Sequence, residues 1–170
     1  RRLTFWGERN EYDEPGGALP AGVAEVLASS AVARGAESLV TQLDAEGLRL
    51  FADAEPLPAL RRLDLRAWIE PASLGLHPYR DRLEELALSG CEWDAAALTA
   101  GRPWARLRVL DVRSAGLPVG GWEALARPGA FPELARLSVA LRRFDPADPA
   151  EAVRAGRFPR LERLEILGDA

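Results

Sequence analysis

The sequence predicts an α/β fold made of stacked units. Each unit would contribute one short strand to a parallel sheet, with helices or irregular turns joining one strand to the next. Two observations carry that prediction. An apolar pattern at i, i+3 and i+5 returns along the chain at nearly constant spacing, and the stretches between its copies begin with capping residues and end in glycine.

Five segments share the pattern: PALRRLDL at 58–65, RLEELAL at 82–88, RLRVLDV at 106–112, ELARLSV at 133–139 and RLERLEI at 160–166. Their leading residues are Leu60, Leu83, Leu107, Leu134 and Leu161, so the steps are 23, 24, 27 and 27 residues. Pro58, Pro132 and Pro159 stand two places before three of the leaders. A helix would scatter i, i+3 and i+5 around its circumference, whereas a strand entered from a turn points i+3 and i+5 to one side. Self-similarity at such a period marks a fold in which each unit buries its apolar face only against its neighbours.

Taken from the N-terminus, Arg2-Leu3-Thr4-Phe5 fits the second half of a strand whose leader would precede residue 1, so the chain is expected to be cut from something longer. Residues 8–22, rich in polar residues, Gly and Pro, are expected as a loop insertion ahead of a helix of about a dozen residues within 22–37. Ala36, Leu39 and Thr41 repeat the strand pattern 24 residues before Leu60, with Asp44 further on. Residues 70–81 carry two prolines and predict a turn-rich crossover. Asp94 caps an apolar run that stops at Gly101, and residues 121–129 and 148–156 repeat that plan, ending in Gly129 and Gly156, with Pro149 at an early helical position.

Residues 83–93 resemble the leucine-rich-repeat family, whose unit reads LxxLxLxxN or LxxLxLxxC followed by an apolar residue two places on: here Leu83, Leu86, Leu88, Cys91 and Trp93. The resemblance, of the bacterial type, extends over nearly the whole chain. It implies one domain over residues 1–170, a curved right-handed leucine-rich-repeat solenoid of about six to seven repeats. The sheet would line its concave face, and helices and irregular turns its convex face. It further implies that Cys91 points inward to meet backbone groups of the adjoining turn, which makes it a packing residue rather than a reactive thiol. At the matching position the other units have Trp68, Ala115 and Arg142, so the interior polar ladder of many family members is largely missing.

Composition narrows the classes of function. With 48% hydrophobic and 28% charged residues among 170, the chain can bury a core and is neither disordered nor membranous in type. No apolar run approaches the roughly 20 residues a spanning helix needs, and no secretory leader is visible, so no membrane association and a cytoplasmic location are expected. All 22 basic residues are Arg, which is read as the mark of a GC-rich, bacterial genome. The net charge of −4 gives the chain as a whole no footprint for nucleic acid.

Chemistry finds few residues to use. The single His77 has no nucleophile at a known spacing, and it lies fourteen residues from the single Cys91, which cannot make a tetrahedral metal site without further ligands. No phosphate-binding, dinucleotide-binding or nucleophile-elbow motif is present. The expectation is a chain that is not an enzyme, with no catalytic residues, no cofactor and no metal.

The surface the strands create remains. Alternation along a strand places three rows on the face opposite the core. The middle row is Thr4, Val40, Asp64, Ala87, Asp111, Ser138 and Glu165. One flank is Arg2, Ser38, Arg62, Glu85, Val109, Arg136 and Arg163; the other is Trp6, Gln42, Arg66, Ser89, Arg113, Ala140 and Leu167. The candidate partner-binding residues are Trp6, Arg62, Asp64, Arg66, Glu85, Ser89, Asp111, Arg113 and Arg136, centred where Arg62, Asp64, Arg66, Asp111 and Arg113 are expected to converge. Two readings compete: a solvated lattice of ion pairs worth little each, or an array of Arg and Trp anchors for a protein or peptide. Interleaved carboxylates argue against phosphate backbones. The function expected is non-catalytic protein–protein interaction. The alternative is the substrate-recognition part of a larger enzyme or effector whose catalytic part lies elsewhere. Exposed terminal repeats also imply end-to-end self-association or a flanking domain as cover.

Overall fold

Strand follows strand across one sheet in the order in which the sequence makes them. The computed structural model describes residues 2–5, 30–42, 51, 57–66, 79–89, 95–114, 117, 121–141 and 149–168. These hold β1 (Arg2–Phe5), α1 (Ala31–Arg34), β2 (Ser38–Gln42), β3 (Arg62–Arg66), β4 (Glu85–Ser89), α2 (Ala95–Thr99), β5 (Val109–Ser114), α3 (Gly121–Leu125), β6 (Arg136–Leu141), α4 (Pro149–Arg154) and β7 (Arg163–Gly168). The seven strands form one all-parallel sheet in the order β1 to β7, so the fold is α/β with short helices. Trp6, the insertion at 8–22, Asp44, Trp68, His77, Cys91, Trp93, Asp94, Ala115 and Arg142 lie outside the described residues.

The apolar pattern becomes columns of in-register side chains. Leu63, Leu86, Leu110, Leu137 and Leu164 are successive partners across β3 to β7, and in β3 to β6 they are 0–2% exposed. The leaders Leu60, Leu83, Leu107 and Leu134 are fully buried beneath them. The N-terminal unit follows suit: Ala36 and Leu39 are buried, as is Thr41, whose hydroxyl finds no hydrogen-bond partner. Such a sheet departs from the usual parallel arrangement, which is covered on both faces. Here one face holds the core and the other is polar.

Two backbone devices repeat with the units. The carbonyl before each of β2 to β6 receives two N–H groups from the next unit: Glu37 from Arg61 and Arg62, Arg61 from Glu84 and Glu85, Glu84 from Arg108 and Val109, Arg108 from Ala135 and Arg136, and Ala135 from Glu162 and Arg163, at 2.7–3.1 Å. Ahead of each leader a tight turn returns the leader's N–H to a carbonyl three residues back, from Leu60 to Leu57, Leu107 to Trp104, Leu134 to Phe131 and Leu161 to Phe158. The residue that begins this turn is apolar and buried in each of these four units.

The unit led by Leu83 departs from this rule. Its turn closes one residue earlier, from Leu83 N–H to Tyr79 C=O, and the position three before the leader is Arg80. Arg80 is nevertheless 4% exposed. Its guanidinium donates to four carbonyls at and beyond the end of α2: Ala97 (3.2 Å), Leu98 (2.9 Å), Ala100 (2.5 Å) and Arg102 (2.6 Å). Trp104 Nε1 and Arg127 Nη1 add bonds to Leu98 and Thr99, both at 2.9 Å, and the guanidinium lies 5.2 Å from the Trp104 ring centroid. A helix leaves its last carbonyls without partners and negative in potential. Arg80 and Arg127 satisfy them with charge as well as with donors. Burial, with Arg127 adding to it, lowers the pKa of Arg80.

The expected glycine stops hold. Gly101, Gly129 and Gly156 have φ of 78°, 76° and 68°, the left-handed region that glycine enters without a Cβ clash. Of the helix expected within 22–37, the described part is Ala31–Arg34. Two expectations need correction. Ile166, a core position by pattern, is 44% exposed and Leu161 is only partly buried; both belong to the unit of β7, the last strand in the order of the described sheet. Arg113 is not the register partner of Ser89: the pairing shifts after Ala87, and Ser89 partners Ser114. One extra residue in β5 makes a bulge there.

Candidate functional site

The polar face is built as the alternation predicts. Thr4, Val40, Asp64, Ala87, Asp111, Ser138 and Glu165 form one continuous register, and Arg2, Ser38, Arg62, Glu85, Val109, Arg136 and Arg163 another. The third row runs Gln42, Arg66, Ser89, breaks at the bulge, and resumes at Ala140 and Leu167. Among the described residues, six arginines stand on this face (Arg2, Arg62, Arg66, Arg113, Arg136 and Arg163) against four carboxylates (Asp64, Glu85, Asp111 and Glu165). The face is therefore richer in positive charge than a chain of net charge −4 would suggest.

The charges sort into local sets rather than the single convergent block expected from the sequence. On β3, Arg66 reaches Asp64 at 3.6 Å, while Arg62 Nε meets Glu85 of β4 at 3.1 Å. On the other side of β4, Arg113 donates through Nε to Asp111 Oδ1 (3.0 Å), through Nη2 to Oδ2 (2.6 Å) and through its backbone N–H to Oδ1 (3.2 Å). The same guanidinium spans β6 to Glu165 on β7 at 3.3 Å. Ser138 Oγ donates to that carboxylate at 3.1 Å, and Arg163 also pairs with it. The described contacts thus tie Asp111 and Arg113 to β6 and β7. The bulge displaces Arg113 from the β4 register, which accounts for the change of direction.

Protonation follows this geometry. Partial burial pushes Asp111 up, but the side-chain and backbone hydrogen bonds from Arg113 outweigh it, and its carboxyl sits below the ordinary value. Glu165 is held down first by the Ser138 hydroxyl and then by Arg163 and Arg113, against a smaller opposing effect of burial. Arg113 is raised in turn by the Asp111 carboxylate. Both carboxylates are thus anionic at neutral pH and committed to internal cations.

Two arginines are not so committed. Arg2 and Arg136 are exposed and make no ion pair among the described residues. Arg136 lies beside Val109 and Arg163 in its row, with no carboxylate on either side. A hollow of about 590 Å³ opens over β1 to β5, lined by Arg2, Arg61, Arg62, Asp64, Glu84, Glu85, Val109 and Asp111 among others. Of the candidate residues, Arg62, Asp64, Glu85 and Asp111 border or enter this hollow, Arg66, Ser89, Arg113 and Arg136 lie elsewhere on the face, and Trp6 is outside the described residues. The candidate set omitted Glu165, Ser138 and Arg163, although the row assignment already placed them on this face. Among the described residues no three His, Cys, Asp or Glu side chains gather as a metal site, and no helix is long and apolar enough to cross a bilayer. Compared with family models, with curated proteins and with solved structures, the chain matches none.

Proposed function

We propose that this chain is a non-catalytic protein-interaction module of the leucine-rich-repeat solenoid type, whose polar face is the concave surface and receives a protein or peptide. The observation that carries the reading is the in-register polar face itself. It fixes side chains from seven strands at strand spacing, about 4.8 Å, and carries more arginines than carboxylates, with Arg2 bordering a hollow of about 590 Å³ and Arg136 further along the face, neither in an ion pair among the described residues. Side chains already ordered by a sheet lose little conformational entropy when a partner docks. Arginine also suits bidentate capture of carboxylates. The ion pairs of Arg62, Arg66 and Arg113 support the lattice reading for those three residues, so the binding contribution falls chiefly to Arg136, Arg2 and the rim of the hollow. Such a surface is equally suited to recognise a substrate for a catalytic domain carried elsewhere in a larger protein. The polar face then has the same task, and that is the second reading.

Affinity capture with the immobilised chain, followed by identification of the retained proteins, tests the proposal. The double variant Arg2→Ala with Arg136→Ala should lose the specific captures while keeping its circular-dichroism spectrum. If the variant retains every capture and changes within residues 8–22 abolish them, the polar face is the wrong surface.

A further inference from the structure

We propose that Arg106, Arg108 and Arg136, grouped where the chain enters β5 and β6, are the recognition point for an extended acidic segment of the partner polypeptide, which sets carboxylates against them. The inference rests on the reading of the polar face as a surface for a polypeptide, and it adds the chemistry of what that surface takes.

Three observations point there. First, the three side chains are exposed, and none of them has an ion pair or a side-chain hydrogen bond among the described residues. They are also close together. Arg106 and Arg108 line one hollow of about 340 Å³, and the Arg136 N–H donates to the Arg108 carbonyl at 2.8 Å. Second, the carboxylates that could neutralise them are engaged by other arginines. Of the two that line the same hollow, Glu133 accepts from Arg160 at 2.6 Å and Glu84 lies 3.9 Å from Arg61. Glu165, on the strand beyond Arg136, is held by Arg113, Arg163 and Ser138. Third, charge is divided unevenly along the chain. Residues 101–170 carry 12 arginines against 9 acidic residues, and residues 1–100 carry 10 against 17. The half that holds the three arginines is therefore positive in a chain that is negative as a whole, and its field steers anions towards them.

Carboxylates fit this place better than phosphates. Glu84 and Glu133 stand in the wall of the hollow, and they repel a dianion about twice as strongly as a monoanion at the same distance. A guanidinium meets a carboxylate with two parallel hydrogen bonds. In an extended peptide, alternate side chains point the same way roughly 7 Å apart, so acidic residues at alternate positions reach both the hollow and Arg136.

A fluorescein-labelled octapeptide of alternating Glu and Thr is the probe, with a Gln and Thr octapeptide as control, and anisotropy is read against the intact chain at physiological salt. The expected result is saturable binding of the Glu peptide and much weaker binding of the control. Reversing two of the arginines together, Arg108→Glu with Arg136→Glu, should weaken binding by roughly tenfold or more, because like charges then face each other. A Lys and Thr peptide should bind that variant while failing on the unmodified protein. Arg157→Glu, at an exposed arginine of the same half that also has no ion pair among the described residues, should leave binding nearly unchanged. No saturable binding, equal binding of the control, or an equal loss on Arg157→Glu overturns the proposal, the last by showing a diffuse field instead of a site. A phosphoserine and Thr peptide, or a thymidine oligonucleotide, that displaces the probe far more strongly than unlabelled Glu peptide assigns the arginines to phosphate and overturns it as well. Added to the affinity capture, the Glu peptide should displace the retained proteins. If it does not, while Arg2→Ala with Arg136→Ala still loses them, the polar face binds a partner of other chemistry and this inference alone fails.

Discussion

Arg80 and Arg113 are the same residue type in two regions of one molecule, and they serve opposite purposes. Arg80 lies under the sheet, 4% exposed, with its charge spread over four backbone carbonyls and an indole ring. Arg113 lies on the polar face with its side chain 42% exposed, gripping two carboxylates from β5 and β7. Removing a buried donor strands its acceptors away from water, while removing an exposed one lets solvent replace it. The polar face can therefore be remodelled with little loss of stability. The Arg80 cluster cannot.

The largest expected effect breaks the comparison on its buried side. Arg80→Ala should cost about 3 kcal/mol in chemical denaturation, since the last carbonyls of α2 lose a charged donor in a site too buried for easy rehydration. Arg80→Lys should recover only part of this, because an ammonium cannot reproduce the planar fork. If both variants unfold at the same denaturant concentration as the parent, Arg80 is not a structural lock. Next comes Gly101, whose φ of 78° lies between the Ala100 and Arg102 carbonyls that Arg80 holds, and where a Cβ would meet Arg80 Nη1 at 4.0 Å, an ordinary contact. Gly101→Ala should thus express only backbone strain, about 1 kcal/mol.

The exposed side is sharpened by acid. Asp111 and Glu165 have folded-state pKa values lowered beneath their ordinary 3.8 and 4.5. Their contribution to stability is complete above those unfolded values and is lost as pH falls through the lower folded ones. Arg113→Ala should flatten that acid limb while leaving the plateau near pH 7 little changed, and thermal melts from pH 2 to pH 7 would show it. An undiminished acid limb would mean that other carboxylates govern it. The smallest effect is the Arg62–Glu85 pair. A double-mutant cycle should give a coupling of about 0.2–1 kcal/mol that shrinks in high salt, as for exposed pairs in general.

The same contrast separates what could be read from the sequence from what could not. Leu60, Leu63 and Leu65, and their counterparts in later units, announce strands by spacing alone, because alternation and a one-sided core leave little choice of register. Gly101, Gly129 and Gly156 mark stops because few other residues enter that region of φ. The rows of the polar face follow from the same alternation. Arg80 was hidden because an arginine in a proline-containing stretch reads as solvated. The signal lay in comparing the units at the position three before each leader, where Leu57, Trp104, Phe131 and Phe158 predict a buried side chain. The bulge after Ala87 had no such signal, and it moved Arg113 away from the block in which the spacing placed it. Ile166 shows the remaining limit: the pattern marks it as a core position, yet burial depends on contacts between units, which the local pattern does not contain.

The central claim is that residues 23 to 27 apart in sequence stand side by side in parallel strands. Nuclear Overhauser contacts between backbone protons test it most directly. The structure predicts inter-strand contacts that chain Leu39 to Leu63, Leu86, Leu110, Leu137 and Leu164 in sequence order, without the strong facing Hα–Hα contacts of antiparallel pairs. Strong Hα–Hα contacts between neighbouring strands, or strands that meet out of sequence order, would contradict it.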